Sequence, residues 1–249
     1  MLIQIVNPNT TASMTDLIRR SARAAAGPGT VVVAVHPEMG PASIESHYDE
    51  ALAVPGLLAQ VAVGEEAGAA GHVIACFGDP GLDAAREVAT GPVVGIAEAG
   101  MRTATYLGRT FGVVTTLQRT TGRAWELAGR YGVREQCRTI RAVEIAVLAL
   151  ETDPAARSRI AAECEDVVAT EGVDAIVLGC AGMADLAAEL TRRVGVPVID
   201  GVAAAVATVE GLARLGLRTG KRGEYAAPLP KRYTGALAEF GVPEPVAVH

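Results

Sequence analysis

The stretch Gly71-His-Val-Ile-Ala-Cys76-Phe-Gly-Asp-Pro-Gly-Leu82 joins a short apolar run to a cysteine and then to a turn rich in Gly, Asp and Pro. A second stretch has the same design, Val173-Asp-Ala-Ile-Val-Leu-Gly-Cys180-Ala-Gly-Met-Ala-Asp185. Each apolar run is typical of a buried strand, and a segment with helical patterning comes after each turn. We therefore predict that two strands each deliver one thiol to a turn at their carboxyl ends.

These two stretches belong to a longer internal repeat with an offset of about 105 residues. Three pairs of positions carry it: Val6-Asn7 with Val114-Thr115, Cys76 with Cys180, and Pro92 with Pro197. Strands alternate with helices in each half, which predicts parallel sheets with right-handed crossovers. The predicted fold class is α/β, with two pseudosymmetric parallel-sheet domains and the active site in the cleft between them. The expected boundaries are 1–97 plus 208–249 for the first domain and 98–207 for the second.

The pattern of apolar residues and turn signals places the individual elements. Predicted strands are 2–6, 30–36, 73–76, 92–96, 110–115, 139–142, 175–178 and 196–200. Predicted helices run from a cap at Thr11 or Ser13 to about residue 25, then over 49–68, 83–88, 98–107, 121–131, 154–172, 184–194 and 201–215. The last helix is expected to cross back to the first half. The tail after Thr219, with Pro228, Pro230, Pro243 and Pro245, is expected to be mostly irregular, with a short helix near 233–240.

Composition narrows the classes of function. The chain has 249 residues, of which 20% are charged, and a net charge of −6 without a basic run, which argues against a nucleic-acid partner. It has no apolar stretch of membrane-spanning length, and its first residues lack the basic region of a signal peptide, so a cytoplasmic location is the expectation. The four cysteines match no zinc or CxxC spacing, and we predict no metal site. For Cys137 and Cys164 a buried structural role is favoured.

Ligands of open parallel sheets bind outside the carboxyl ends of the strands. Asn7, Cys76, Thr115 and Cys180 are predicted at such ends, so two facing halves would bring them into one cleft. Two proton-transferring groups on opposite sides of one carbon are what a racemase needs. A thiol suits this task because its pKa is tunable, and helix N-termini after both cysteines are expected to favour the thiolate.

Two sets of residues are candidates for substrate binding. Backbone N–H groups of the turns after the cysteines could bind carbonyl oxygens as an oxyanion hole does, which singles out Phe77, Gly78, Asp79, Ala181, Gly182 and Met183. Side chains near the other strand ends and in the loop after the second strand add Asn7, Ser43, Ile44, Thr115 and Thr116. Simpler roles stay open: an Asx turn for Asn7, a loop position for Ser43, helix caps for Thr115 and Thr116, and a turn or cap role for Asp79.

At these residues the sequence resembles the aspartate/glutamate/hydantoin racemase superfamily, and most closely its hydantoin and allantoin racemase branch. The matching stretches are Ile5-Val-Asn-Pro-Asn-Thr10, Gly40-Pro-Ala-Ser-Ile-Glu-Ser46, Cys76-Phe-Gly-Asp-Pro-Gly-Leu82, Gly179-Cys-Ala-Gly-Met183 and Pro197-Val-Ile-Asp-Gly201. The resemblance implies two pseudosymmetric α/β domains, no cofactor, and a cysteine pair, Cys76 and Cys180, that exchanges one proton at the stereocentre of a 5-substituted hydantoin.

The residues after the cysteines distinguish the branches of the superfamily. In the amino-acid racemase branch that the chain resembles, the two cysteines typically begin the motifs Cys-Asn-Thr and Cys-Thr-Glu. In this sequence they begin Cys-Phe-Gly-Asp-Pro and Cys-Ala-Gly-Met instead. The missing Thr and Glu argue against free aspartate or glutamate as substrate. Three competing functions stay open: a maleate isomerase, an arylmalonate decarboxylase, which needs one cysteine, and a non-catalytic two-lobed ligand-binding protein. The expected partner is a small molecule, with neither nucleic acid nor membrane, and a homo-oligomer is expected because symmetric enzymes are common.

Overall fold

The computed structural model of the chain describes residues 1–242. Pro243 and Pro245, which belong to the tail expected to be irregular, lie outside the described residues, as does the end of the first predicted domain. The described part of the tail contains two short 3-10 turns, at Gly223–Tyr225 and Gly235–Phe240.

Two separate parallel sheets confirm the predicted repeat. Their strands are β1 (Leu2–Val6), β2 (Val31–Val35), β3 (Gly71–Ile74), β4 (Val93–Gly95), β5 (Phe111–Thr115), β6 (Cys137–Ala142), β7 (Ala175–Gly179) and β8 (Val198–Asp200). The first sheet has the order β2-β1-β3-β4 and the second the matching order β6-β5-β7-β8. Each of the strands β3, β5 and β7 is buried along its whole length, which explains their largely apolar sequences.

The helices alternate with the strands as expected for parallel crossovers. They are α1 (Ala12–Ala25), α2 (His47–Glu66), α3 (Leu82–Val88), α4 (Ile96–Leu107), α5 (Thr121–Arg130), α6 (Ala149–Thr152), α7 (Ala156–Glu171), α8 (Ala187–Val194) and α9 (Gly201–Arg214). The helix predicted over 184–194 is shorter in the structure, because a 3-10 segment at Ala181–Leu186 comes before α8. The third strand also ends earlier than predicted, so that Cys76 lies beyond the strand and within the turn.

The two halves meet along α4 and α9. The last helix, α9, packs on α4 and also on α1, β3 and β4 of the first half, so it crosses back as the sequence predicts. Gly201 allows the close approach of α4 and α9, since a Cβ there would lie 2.5 Å from the carbonyl oxygen of Ile96. Gly100 lets α4 lie close to the second sheet, since a Cβ there would lie 2.8 Å from Val177 of β7.

Candidate active site

A cavity of about 60 Å³ lies between the two halves, outside the carboxyl ends of the central strands. It has room for a few water molecules. Both cysteines of the repeat line it. Of the other predicted site residues, it brings together Ile44, Phe77, Gly78, Thr115, Thr116 and Ala181.

The Cys76 turn (residues 76–82) is held in a fixed conformation by its own backbone and by Asp79. The Asp79 N–H donates to the Cys76 carbonyl at 3.0 Å, and Asp79 takes a left-handed backbone with φ of 44°. Its carboxylate accepts the N–H groups of Ala97 and Glu98 at 3.1 and 2.9 Å, and the Tyr131 hydroxyl at 2.6 Å. Asp79 thus caps α4 and turns away from the cavity, in agreement with the simpler of its two roles.

Burial of that carboxylate raises the pKa of Asp79 to about 6. The hydrogen bonds from Tyr131 and from the α4 N-terminus favour the charged form and oppose this rise. The carboxylate oxygens of Asp79 are occupied by these donors, so Asp79 fixes the conformation of the turn. Asp79 does not line the cavity, and its position does not support the predicted role in substrate binding.

The Cys180 turn (residues 180–186) repeats part of this geometry. The Met183 N–H donates to the Cys180 carbonyl at 3.1 Å, which matches the bond from Asp79 to Cys76. A Cβ on Gly182 would lie 3.6 Å from the Cys180 sulfur, so the glycine keeps the backbone close to the thiol. The Met183 side chain is fully buried in the core of the second half and does not line the cavity. Of the three residues predicted after Cys180, only Ala181 thus lines the cavity.

Burial raises the pKa of both thiols. Each cysteine keeps a partly exposed surface toward the cavity, but the surrounding protein disfavours the thiolate. The pKa of Cys180 rises to about 11, and the pKa of Cys76 rises further. The N–H groups of Gly78 and Gly182 act in the opposite direction on their neighbouring thiols. Helix N-termini are expected to favour both thiolates, and the two turns differ in this respect. The 3-10 segment begins at Ala181, directly after Cys180, whereas α3 begins only at Leu82, six residues after Cys76.

Asn7 takes the structural role that the sequence left open. Its side-chain amide donates to Asn9 Oδ1 at 2.8 Å and to Thr15 Oγ1 at 3.0 Å, which fixes the turn before α1. Asn7 is buried behind this turn, and Asn9 lines the cavity in its place. Ser43 lies outside the cavity wall, whereas Ile44 and Ser46 of the same loop belong to it.

Several polar or charged wall residues were not among the predicted site residues. These are Asn9, Ser46, His47, Glu50, Arg119, Thr120 and Arg123, and the apolar wall adds Met14, Ala124 and Val147. Two of them bridge the halves. The Arg123 guanidinium donates to the Gly78 carbonyl through Nε and Nη2 at 3.2 and 3.0 Å, and the Val147 N–H donates to the Glu45 carboxylate at 2.6 Å.

Two further features of the described residues bear on function. In residues 1–242, no group of three or more His, Cys, Asp or Glu side chains is arranged to hold a metal ion. Over the same range, every helix is too short or too polar to span a membrane.

Comparison with known proteins agrees with the geometry. The Asp/Glu/Hydantoin racemase family model matches residues 3–209. A hydantoin racemase from Pseudomonas sp. (strain NS671) is 47% identical over 242 residues, 97% of each chain. One from Rhizobium meliloti is 48% identical over 94% of this chain and 98% of the relative. The structure of an allantoin racemase from Klebsiella pneumoniae has a TM-score of 0.95 and 49% identity, over 97% of this chain and 99% of that one. The chain therefore belongs to the Asp/Glu/hydantoin racemase family, in its hydantoin and allantoin racemase branch.

Proposed function

We propose that the protein racemises 5-substituted hydantoins, allantoin among them, by two-base proton transfer between Cys76 and Cys180. The observation that carries the proposal is the position of the thiols. They come after equivalent strands of two equivalent sheets, and they line the same small cavity. A substrate carbon between them would be reached by one thiol on each face.

The chemistry suits a hydantoin because its C5–H lies next to a ring carbonyl. One cysteine, as the thiolate, takes the C5 proton, and the electron pair moves into the carbonyl to give an enolate. The other cysteine, as the thiol, delivers its proton to the opposite face, so that the roles of the two thiols are exchanged at the end of the turnover. Backbone N–H groups of the Cys76 and Cys180 turns are proposed to hold the enolate oxygen, as an oxyanion hole does. The reaction as proposed needs no cofactor.

The cavity wall offers both polar and apolar partners for the 5-substituent. His47, Glu50 and Arg119 could bind a ureido group, while Ile44 and Val147 could pack on an aliphatic or aromatic one. The relatives carry the names of both activities, hydantoin racemase and allantoin racemase. We therefore propose the hydantoin ring as the common element of recognition, with C5 between the thiols.

Replacement of each cysteine tests the mechanism. We expect Cys76→Ser and Cys180→Ser each to abolish racemisation, because a serine hydroxyl is a far weaker acid than a thiol. Exchange of the C5 proton for solvent deuterium should survive with one enantiomer in each variant, since one base remains. Optical rotation of enantiopure allantoin, 5-benzylhydantoin and aspartate, followed in parallel, gives the measurement.

Cys164→Ala is the matched control, since Cys164 is fully buried in the core of the second half, away from the cavity. It should retain racemisation if the protein stays folded. Racemisation of hydantoins at the unaltered rate by either serine variant would contradict the two-base mechanism. Racemisation of aspartate alone would contradict the choice of substrate.

A further inference from the structure

The Cys76 turn is held from across the cleft by one helix of the second half. Arg123 of α5 donates two hydrogen bonds to the Gly78 carbonyl, at 3.2 and 3.0 Å. Tyr131, the residue directly after α5, donates to Asp79. The turn that carries a thiol of the first half thus depends on side chains of the second half for its position.

Glu50 of α2 completes this contact from the first half. Its carboxylate lies 3.4 Å from Arg123 Nε, and a Cβ on Gly78 would be only 2.3 Å from Glu50 Oε1. The carboxylate therefore lies directly on the face of Gly78, where a side chain is excluded. Arg123 and Glu50 are mostly buried, at 24% and 19% side-chain exposure, so their interaction is less screened than a surface ion pair.

We propose that Arg123 is a positioning residue for Cys76, holding the Cys76 turn across the cleft and neutralising Glu50 beside the thiol. This inference rests on the proposed role of Cys76 in proton transfer. A planar guanidinium suits the task because it can donate two bonds to one carbonyl while facing a carboxylate. The equivalent helix of the first half, α1, contacts the 3-10 segment of the Cys180 turn.

The charges around Cys76 predict the direction of the effect. Glu50, Asp79 and the Cys180 thiolate each raise the pKa of Cys76, in addition to the larger effect of burial. Glu50 is itself faced by Arg123, His47 and Glu126, of which Arg123 favours its charged form most strongly. Burial raises the pKa of Glu50, and Arg123 is the largest of the influences that oppose this rise. Removal of Arg123 would leave the Glu50 carboxylate, where it is ionised, without this cation and make the Cys76 thiolate harder to form.

Three variants of the full chain separate position from charge. Arg123→Met removes both, and we expect kcat to fall at least about tenfold, as for the loss of a charge-assisted hydrogen bond. Its pH–rate profile should move to higher pH. Arg123→Lys keeps the charge without the planar fork, so its profile should stay in place while kcat falls. In Arg123→Met with Glu50→Gln, the profile should return toward that of the unaltered protein while kcat stays low.

Arg130→Met is the matched control. Arg130 lies on the same helix and also bridges the halves, through an ion pair with Asp83, but it is 42% exposed and does not line the cavity. Because an exposed ion pair contributes little, we expect its kcat to remain within about twofold of the unaltered value. Thermal midpoints of all variants show whether a loss of kcat merely reflects a loss of stability.

A measurement that needs no turnover keeps this inference separate from the proposed function. The rate of iodoacetamide alkylation at Cys76 and at Cys180, followed by peptide mass spectrometry, should fall selectively at Cys76 in Arg123→Met. If the unaltered protein racemises no hydantoin but this selective change is seen, the proposed function fails and the positioning role stands. The inference would be overturned if Cys76 in Arg123→Met were alkylated at the same rate as in the unaltered protein and the pH–rate profile stayed in place. It would also be overturned if Arg130→Met lost as much kcat as Arg123→Met.

Discussion

The two thiols occupy equivalent positions, but their surroundings make them different acids. Burial raises the pKa of both thiols, and the carboxylates of Glu50 and Asp79 add to this effect at Cys76. At Cys180 the hydrogen bond from the Gly182 N–H opposes the effect of burial, and Glu45 adds a smaller rise. Burial therefore disfavours the thiolate at both positions, and more negative groups act on Cys76 than on Cys180. The proposed two-base transfer needs one thiolate and one thiol at the same time, so this difference in surroundings bears on both directions of the reaction.

The raised pKa values predict how the rate depends on pH. At pH 7 both cysteines are mostly protonated, because the pKa of Cys180 is about 11 and that of Cys76 is higher. Below that pKa, the thiolate fraction of Cys180 grows about tenfold for each unit by which the pH rises. We expect kcat/KM for a hydantoin to rise steadily from about pH 7 to about pH 9. The measurement is the initial rate by polarimetry, on enzyme checked for folding at each pH. A rate that falls over this range would contradict the role of a cysteine thiolate as the base.

At the scale of elements, the sequence predicts the features that depend on local pattern. The apolar run before Cys180 indicates β7, and the spacing of the repeat indicates that both sheets share one strand order. The contacts across the cleft do not depend on local pattern and could not be predicted from it. Arg123 and Glu50 lie on ordinary helices with no distinctive spacing, and they meet only because α4 and α9 bring the halves together. Asp79 is ambiguous in the sequence because a carboxylate in a turn either caps a helix or binds a ligand, and only the position of α4 decides between these roles.

The close contact of α4 and α9 gives a stability prediction. Gly201→Ala would place a Cβ 2.5 Å from the Ile96 carbonyl, which belongs to backbone and cannot move aside easily. We expect the free energy of unfolding to fall by about 1–3 kcal/mol, as for other overpacked sites. Gly211→Ala on the same helix meets no atom within 4 Å and should raise it by about 0.5–1 kcal/mol. Urea unfolding followed by circular dichroism measures both, and equal effects of the two variants would contradict the role of close packing at Gly201.

In the whole molecule, a pseudosymmetric pair of contacts joins the halves below the cavity. Asp79 caps α4 and accepts the hydroxyl of Tyr131 from the second half. Asp200 caps α9 and accepts the hydroxyl of Ser21 from the first half. Each buried carboxylate thus ties a helix N-terminus to the opposite half.

Glu45 and Val147 form a contact between the halves beside the cavity, and we expect it to hold the cleft closed around a bound substrate. The Glu45 carboxylate accepts the Val147 N–H at 2.6 Å, and Val147 lines the cavity. We expect Glu45→Ala to lower kcat/KM about tenfold, mainly through KM, because the closed form loses a charge-assisted hydrogen bond worth about 1.5–3 kcal/mol. Glu45→Gln is the matched control, since its amide oxygen can still accept the Val147 N–H, and it should keep KM within about threefold of the unaltered value. Steady-state kinetics at constant pH test the pair. An unchanged KM in Glu45→Ala would show that closure of the cleft does not depend on this bond.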